Sequence, residues 1–335
     1  MDEFRPQKFV EFIGQDEAVE RLQMKVNAFR NSGRCIGHIL LTGPAGVGKT
    51  SMAHVIANET NVQIHCAMGS RIDKFEQVLA HLQNLGDNDI LFIDEIHALS
   101  KRIQEQLYDA MESFKVEIFA GKGKNPVPIT LPLPKFTLIG ATTHAGMLTP
   151  PLLRRFEGGQ IQLQPYTVPQ LNTIVQNASV RLFGVNINNY VSNRIAQLSL
   201  KSAARANVLI KSYMEIKEAK PSITDHECLN IMLRLEKIDP FVGLDAISRK
   251  YLYILDKARE QPVGVSVIAS IMRSPEETLR EIIEPNLLDD LEFNDTCGPM
   301  VRITKSGRKL ERLGKIYIDK CRELQNTGWF KNEIF

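Results

Sequence analysis

The clearest chemical signal in this sequence is the run of residues 43–50. Gly43, Gly48, Lys49 and Thr50 occupy the fixed positions of the pattern G-x-x-x-x-G-K-T, and Gly46 adds a further glycine between them. Glycines let the backbone curl so that its N–H groups point at phosphate oxygens, and a helix that starts there adds partial positive charge. We therefore predict a phosphate-binding loop in which Lys49 reaches the β- and γ-phosphates of a nucleotide and Thr50 holds Mg²⁺.

The residues on either side of this loop have the patterns that such a loop requires. Residues 38–42 are apolar enough for a short buried strand, and residues 51–59 carry apolar side chains at helical spacing. A strand, a glycine-rich loop and a helix in this order distinguish a nucleotide-binding loop from a glycine-rich turn that binds nothing.

A second signal is a pair of acids at the end of an apolar run. Residues 88–95 form a predicted buried strand that ends in Asp94 and Glu95. At the carboxyl edge of a parallel sheet, Asp94 would bind the Mg²⁺ water shell beside Thr50, and Glu95 would orient and deprotonate the attacking water. Taken alone the acids fit a solvated acidic turn equally well, and the upstream loop is what favours the catalytic interpretation.

A third predicted strand, residues 136–143, ends in two hydroxyl side chains. Thr142 or Thr143 could sense the γ-phosphate or place the attacking water. His97 directly follows the two acids of the preceding strand, and we expect it to lie on the surface rather than to act as a sensor.

Two adjacent arginines lie near the end of this first region. Arg154 and Arg155 fall in the segment 152–156. An arginine of one subunit can stabilise the transition-state charge of a nucleotide bound to its neighbour. Taken alone, the pair is more typical of ordinary solvated side chains.

Length and composition limit the class of protein. The chain has 335 residues, a formal net charge of +2, and five scattered cysteines without a C-x-x-C pair. This length predicts two or three domains, and the cysteine pattern argues against a zinc site or a disulfide framework and suits a reducing cytosol. No apolar run is long enough to span a bilayer, and the N-terminus does not resemble a signal peptide, so we expect a cytoplasmic protein without a membrane partner.

Periodicity predicts the other elements before residue 239. We expect helices at 16–31 (with Asp16 as its cap), 75–85 and 104–114, a strand at 63–66, a β-hairpin over 115–133 that turns at Gly121-Lys122-Gly123, and helices at 169–182, 188–200, 203–217 and 225–235. The alternation of strands and helices up to residue 164 predicts an α/β domain with a parallel sheet, and the helices after it predict a small all-α domain.

The C-terminal region has the pattern of a winged helix-turn-helix. Predicted helices at 244–259 and 265–272 are followed by one from Pro275 to Leu291 with Ser274 as its cap, and then by strands at 292–295 and 301–304 joined by a turn containing Gly298. The third helix is acidic, so insertion into a DNA groove is not expected. The following hairpin instead carries Arg302, Lys305, Arg308 and Lys309, which form either a surface for DNA or a merely solvated basic hairpin.

The last segment, residues 311–335, predicts an amphipathic helix. Apolar residues recur at helical spacing between Leu313 and Leu324. We expect it to dock on the winged domain rather than to bind a partner, because helices are stabilised mainly by packing.

The order of these motifs resembles AAA+ ATPases, and several strings resemble the RuvB family more narrowly. The first set is Arg5-Pro6 with Ile13-Gly14-Gln15, His54-Val55-Ile56-Ala57, Asp94-Glu95-Ile96-His97 and residues 136–143. The second set, in the C-terminal region, is Val242-Gly243-Leu244-Asp245, Arg249-Lys250, Pro262-Val263-Gly264, Ile282-Ile283-Glu284-Pro285 and Gly307-Arg308. The resemblance covers about residues 4 to 310.

This resemblance implies a fold and a set of site residues. It implies a P-loop AAA+ ATPase domain at 1–164, a helical lid at 165–238, a winged-helix DNA-binding domain at 239–310, and a basic helical tail at 311–335. ATP or ADP would be bound by Arg5, Ile13, Gly43, Gly46, Val47, Gly48, Lys49, Thr50, Ser51, Tyr166 and Arg205, and Arg302 and Arg308 would touch DNA phosphate.

One position departs from the family. The family's lid carries an arginine that reaches the γ-phosphate, and without a gap that position is Ala204. The next residue, Arg205, lies about 100° further around a helix. Either Arg205 substitutes, which we favour, or this chain couples ATP to the lid differently.

The function implied is an ATP-driven motor of Holliday-junction branch migration. Arg155, or Arg154, would act on the ATP of a neighbour in a hexameric ring, and the hairpin at 116–133 would transmit motion to a RuvA-like junction-binding protein on branched DNA. A clamp or helicase loader with the same ATPase core is the first alternative, and a binding module with a degraded site is the second.

Overall fold

The computed structural model describes residues 4–120, 127–293 and 296–325. The chain folds into two compact units. The first comprises residues 1–174 together with 202–204, and the second comprises residues 175–201 together with 205–335.

A parallel sheet forms the centre of the first unit. Its strands are β1 (Ile39–Thr42), β2 (Ile64–Met68), β3 (Ile90–Asp94), β6 (Thr137–Thr142) and β7 (Gln160–Gln162). It has five strands in the order β2-β3-β6-β1-β7, and every pairing is parallel. The central strands are buried along almost their whole length, which is why they appear in the sequence as continuous apolar runs rather than alternating ones.

Helices cover this sheet. They are α1 (Asp16–Ser32), α2 (Lys49–Thr60), α3 (Phe75–Gln83), α4 (Lys101–Ser113), α5 (Pro150–Arg155) and the first part of α6 (Val168–Phe183). The apolar faces of α3 and α4 pack with Leu91, Ile93 and Leu138 of the strands in one core. The prediction that Asp16 caps α1 was wrong. Gln15 precedes the helix with φ of 60°, and its side chain bonds the backbone of Gln164 instead.

A β-hairpin is inserted between α4 and β6, as predicted. It consists of β4 (Lys115–Ala120) and β5 (Val127–Pro132), which pair antiparallel. The predicted turn at Gly121-Lys122-Gly123 lies outside the described residues.

The second unit begins with helices, and the helical prediction for this region is confirmed. These are the rest of α6, then α7 (Asn189–Gln197), α8 (Ala203–Ala219, of which residues 205–219 belong to this unit) and α9 (Asp225–Leu235). Thr224 caps α9: its hydroxyl accepts from the backbone of Glu227, and the Glu227 carboxylate accepts from the backbone of Thr224.

The C-terminal helices differ from the prediction in one place. Helices α10 (Ala246–Lys257) and α11 (Val265–Met272) are as expected. The predicted third helix is instead α12 (Glu276–Thr278), a π-helical turn at Leu279–Ile283, and α13 (Glu284–Leu288), and Ser274 does not cap it. Pro285 has no N–H to give to an α-helical bond, and a π-turn lies where that bond would be.

The predicted strand pairing after these helices was also wrong. There are two antiparallel hairpins, β8 (Leu291–Phe293) with β9 (Thr296–Gly298), and β10 (Val301–Thr304) with β11 (Gly307–Leu310). We call the second hairpin the wing. Gly307 has φ of 144°, and a Cβ there would lie 2.5 Å from the carbonyl oxygen of Val263, so only glycine fits this contact.

The predicted tail helix is α14 (Arg312–Gln325). Leu313, Tyr317, Ile318 and Cys321 are buried in the same core as α10 and α11. This confirms that the helix docks, and the division predicted at residue 310 therefore separates α14 from the core that it helps to fill. In the described parts of the chain, no helix is long and apolar enough to cross a membrane.

Candidate nucleotide-binding site

The glycine-rich loop joins β1 to α2 in the first unit. Gly43, Gly46 and Gly48 all have left-handed backbone, with φ of 140°, 76° and 100°. A Cβ on Gly43 would lie 2.4 Å from the carbonyl oxygen of Leu163, which excludes any larger residue. Helix α2 starts at Lys49, so its free N–H groups face the curl of the loop, where they can bind an anion.

Lys49 is held at the mouth of this loop. Its Nζ donates to the carbonyl oxygens of Gly43 and Pro44, both at 2.7 Å. Burial lowers the pKa of the Lys49 ammonium, and the negative charges of Asp94 and Glu95 partly oppose that shift. A partly desolvated cation beside a curled backbone suits a phosphate group, which would supply the compensating charge.

The predicted acids lie where β3 ends, beside the start of α2. The Thr50 hydroxyl donates to Oδ2 of Asp94 at 2.9 Å, and the backbone N–H of Glu95 donates to Oδ1 at 3.0 Å. Glu95 is exposed and has left-handed backbone, with φ of 49°. The structure thus brings Lys49, Thr50, Asp94 and Glu95 to one edge of the sheet.

The oxygens of Thr50 and Asp94 are suitable ligands for Mg²⁺. Mg²⁺ prefers hard oxygen donors and usually takes only one or two from the protein, with water and substrate phosphate supplying the rest. Among the described residues there is no cluster of three or more His, Cys, Asp or Glu that could hold a metal ion by itself. The two oxygens of Thr50 and Asp94 match what Mg²⁺ takes from a protein when it is bound together with a nucleotide.

The hydroxyls at the end of β6 form a network with two histidines. Thr142 is buried, and its Oγ1 lies 2.9 Å from Nδ1 of His97 and accepts from the backbone N–H of His144. Thr143 is exposed and its Oγ1 lies 2.7 Å from Nδ1 of His144. The expectation that His97 lies on the surface was wrong, because it is half-buried and joins the turn after Glu95 to the strand that carries Thr142. The more accessible hydroxyl is that of Thr143.

The two arginines at the end of α5 have different surroundings. Arg155 forms an ion pair with Glu112 at 2.5 Å, donates to the Tyr108 hydroxyl at 3.0 Å, and stacks on the Tyr108 ring. Arg154 is exposed. Arg155 is thus a positioned side chain rather than an ordinary solvated one.

The N-terminal segment and Tyr166 meet the loop on another side. A Cβ on Gly48 would lie 3.0 Å from the ring of Phe12 and 3.4 Å from the hydroxyl of Tyr166. Tyr166 is buried, and burial raises its pKa to about 12. Phe12 was not among the predicted site residues, although it directly precedes the motif Ile13-Gly14-Gln15. The remaining predicted positions are half-buried Arg5, Ile13 and Ser51, and buried Val47.

The substitution of Arg205 for the missing lid arginine stays a prediction, and the structure shows which groups Arg205 contacts in its own unit. Arg205 belongs to the second unit, where its guanidinium donates to the carbonyl of Gly243. Burial lowers the pKa of Arg205, and Asp245, Asp239 and Glu236 oppose that shift, so its charge is compensated within its own unit. Ala204 belongs to the first unit, and its backbone N–H donates to the Gly46 carbonyl at 3.4 Å. Ala204, the position that the family's arginine would occupy, thus contacts the loop within the first unit.

The basic side chains that were predicted to contact DNA have different surroundings in the wing. The Arg308 side chain is 9% exposed, and it forms a two-bond ion pair with Glu284 at 2.8 and 3.1 Å. Tyr251 donates to the same carboxylate at 2.7 Å. Arg308 therefore has a structural role in this unit, and its predicted contact with DNA stays a prediction. Arg302 is exposed and paired with Glu311, and Lys305 is exposed.

Three features define the class of protein: the strand order of the sheet, the curled loop at its carboxyl edge and the acids beside that loop. These features are typical of a P-loop nucleoside triphosphatase of the AAA+ type, which is followed here by helices and a winged-helix fold.

Comparison with known proteins narrows this class. Residues 4–162 match the family described as the Holliday junction DNA helicase RuvB P-loop domain, and residues 242–319 match the RuvB C-terminal winged helix domain. The Holliday junction branch migration complex subunit RuvB of Campylobacter concisus is 41% identical over 285 residues, which is 85% of this chain and 84% of the relative. That of Neorickettsia sennetsu is 37% identical over 85% of this chain and 86% of its own length.

A solved structure agrees over nearly the whole chain. The Thermotoga maritima RuvB Holliday junction branch migration motor is 32% identical, with a TM-score of 0.81 over 95% of this chain and 98% of that one. The chain belongs to the RuvB family.

Proposed function

We propose that this chain is an ATP-driven motor that moves duplex DNA and drives branch migration of Holliday junctions. The observation that carries the proposal is the hydrogen bond between Thr50 and Asp94, 2.9 Å long, beside Lys49 at the sheet edge. This bond joins the phosphate-binding loop to the strand that ends in the two acids. The proposal that the substrate is DNA rests on membership of the RuvB family.

At this edge each side chain has a distinct role. The loop N–H groups and Lys49 bind the phosphates of ATP, and Thr50 with Asp94 holds Mg²⁺. The metal supplies charge neutralisation on the phosphates when it is bound. Glu95 orients a water molecule and accepts its proton, and Thr143 has the hydroxyl that is accessible for sensing the γ-phosphate or placing that water.

The transition-state cation comes from a neighbouring subunit in this proposal. Arg155 is the first candidate and Arg154 the second, and a shared site of this kind implies a closed ring, which we propose to be a hexamer. Arg155 would exchange its ion pair with Glu112 for the neighbour's phosphate. The pair is only partly buried, and an ion pair of this type is weak enough to be exchanged.

Two further surfaces would connect ATP turnover to DNA. We propose that the hairpin β4–β5 meets a RuvA-like junction-binding protein and that the winged-helix fold grips the DNA backbone. The basic residues of the C-terminal region support a grip that is independent of sequence, since phosphate contacts position a protein without reading bases.

A branch-migration assay on a synthetic four-way junction tests the proposal. With ATP, Mg²⁺ and a junction-binding partner, the parent chain should convert the junction to duplex products, while Lys49→Ala and Glu95→Gln should not. Unchanged migration in these variants would refute it. A single ATP-gated transfer of a protein ring, with no processive migration, would instead favour the loader alternative.

A further inference from the structure

The wing presents different side chains on its two faces. Arg302 pairs with Lys309 across the strands, and Ile303 pairs with Arg308. Since side chains alternate along a strand, Arg302 and Lys309 share one face while Arg308 points to the other, where it is buried against Glu284. Among the paired positions of the two strands, the cations that are not buried therefore lie on the Arg302 and Lys309 face.

A groove lies beside that face in the second unit. It has a volume of about 580 Å³ and is bounded by the end of α10, the wing and the start of α14. Its lining includes five cations, which are Arg259, Arg302, Lys309, Arg312 and Lys315, and three acids, which are Asp256, Glu260 and Glu311.

Two of those acids are already neutralised. Glu311 pairs with Arg302 at 2.6 Å, and Asp256 pairs with Arg322 at 2.5 Å. Within the described part of the chain, Arg259, Lys309, Arg312 and Lys315 have no ion-pair partner. Of the lining acids only Glu260 is left to balance these four cations, so the cations repel one another, and a bound polyanion removes that repulsion.

The chemistry of the lining indicates which polyanion fits. The described residues that line the groove include Leu255 and Leu310 but no aromatic side chain on which an unpaired base could stack, and no Asn or Gln to pair with a base edge. Lysine and arginine without either feature suit phosphodiester groups of a duplex, contacted irrespective of sequence.

We propose that this groove, rather than the Arg308 side of the wing, holds the sugar-phosphate backbone of duplex DNA. The contacts come from Lys309, Arg312 and Lys315, with Arg259 at the opposite wall. This inference rests on the proposed function as a DNA motor and names the surface that does the gripping.

Fluorescence anisotropy of a labelled duplex with the full chain, over a series of salt concentrations, tests this. The combined variant Lys309→Ala, Arg312→Ala, Lys315→Ala should bind more than tenfold more weakly. The slope of log K against log salt should fall by about 2 to 3, because each lost phosphate contact removes about 0.9. A matched variant, Lys211→Ala, Lys220→Ala, Lys250→Ala, removes the same charge from exposed positions of this unit outside the groove lining and should keep the parent slope.

A variant that conserves charge distinguishes loss of phosphate contacts from loss of folding. Lys309→Arg, Arg312→Lys, Lys315→Arg should retain the parent slope, and thermal unfolding reports whether each variant is folded. The inference is overturned if the folded alanine variant binds duplex with the parent affinity and slope. The parent failing to bind duplex at all would instead refute the proposed function as well.

Discussion

The carboxyl edge of the central sheet and the wing both carry the polar residues that the sequence singled out, yet only the first keeps them together. At the sheet edge, Lys49, Thr50, Asp94 and Glu95 gather around one hydrogen bond of 2.9 Å. In the wing, Arg302 and Arg308 lie on opposite faces, and one of them is buried in an ion pair.

The difference comes from how each arrangement is determined. Parallel strands end at the same edge of a sheet, so residues that follow them meet whatever else the fold does. A hairpin side chain has two possible faces, and which one is buried depends on a partner far away in the chain, here Glu284 on α13. Local spacing therefore predicts the first kind of site well and the second kind poorly.

The largest expected effect is on stability and comes from replacing a cation of the wing. Arg308→Ala should lower the free energy of unfolding by about 3 to 5 kcal/mol, because it leaves the buried Glu284 carboxylate without its charge partner. Arg302→Ala, which removes an exposed pair, should cost at most about 1 kcal/mol. Urea denaturation of both variants measures the difference.

A double replacement controls for the loss of packing. Glu284→Gln combined with Arg308→Met removes both charges and should recover much of the stability lost in Arg308→Ala. Equal and small costs for Arg302→Ala and Arg308→Ala would contradict the structural role of Arg308.

Much of the fold was predictable because it depends on local signals. The strands around the loop, the hairpin β4–β5 and helices α9, α11 and α14 follow from apolar periodicity and from turn and cap residues. The predicted pairing of the C-terminal strands was wrong because strand register depends on residues that are close in space but distant in the chain. One example is Val263, which pairs with Arg308 of β11. The partners of Arg205 and Arg308 could not be predicted for the same reason, since carbonyl and carboxylate groups distant in the chain bind their guanidinium groups.

An effect of intermediate size is expected on ATP hydrolysis at the sheet edge. His97 bonds the buried Thr142 hydroxyl at 2.9 Å, so His97→Ala should misplace the end of β6 relative to the acids. We expect kcat for ATP hydrolysis to fall about tenfold, equivalent to about 1.4 kcal/mol, with KM little changed.

A double-mutant cycle with Thr142→Val assigns this effect to the hydrogen bond. Both changes remove the same contact, so their combined cost should be close to that of either alone. Strictly additive costs would mean that His97 acts independently of Thr142.

The smallest expected effect concerns His38, just before β1. Its Nδ1 accepts from the backbone N–H of Leu138 at 2.9 Å, and burial lowers the pKa of His38. The unfolded chain therefore takes up this proton first as pH falls below about 6.5, so the contribution of neutral His38 is complete above that pH and is lost below it. The loss is at most about 1.4 kcal/mol per pH unit and ends below the folded pKa.

Urea denaturation between about pH 7.5 and pH 5.5 measures this dependence. His38→Gln should be less stable at the upper pH but should lose less stability on acidification than the parent. An identical loss in both proteins would show that another group is responsible.

The central claim is that ATP is hydrolysed at the sheet edge with Glu95 as the proton acceptor. The most direct test compares the parent with Glu95→Gln in two assays. A filter-binding assay measures how much ATP each protein retains, and product analysis measures how fast each protein forms and releases ADP. We predict that Glu95→Gln retains ATP as well as the parent does and releases ADP at least about 100-fold more slowly. Turnover by Glu95→Gln within a few-fold of the parent rate would contradict the account.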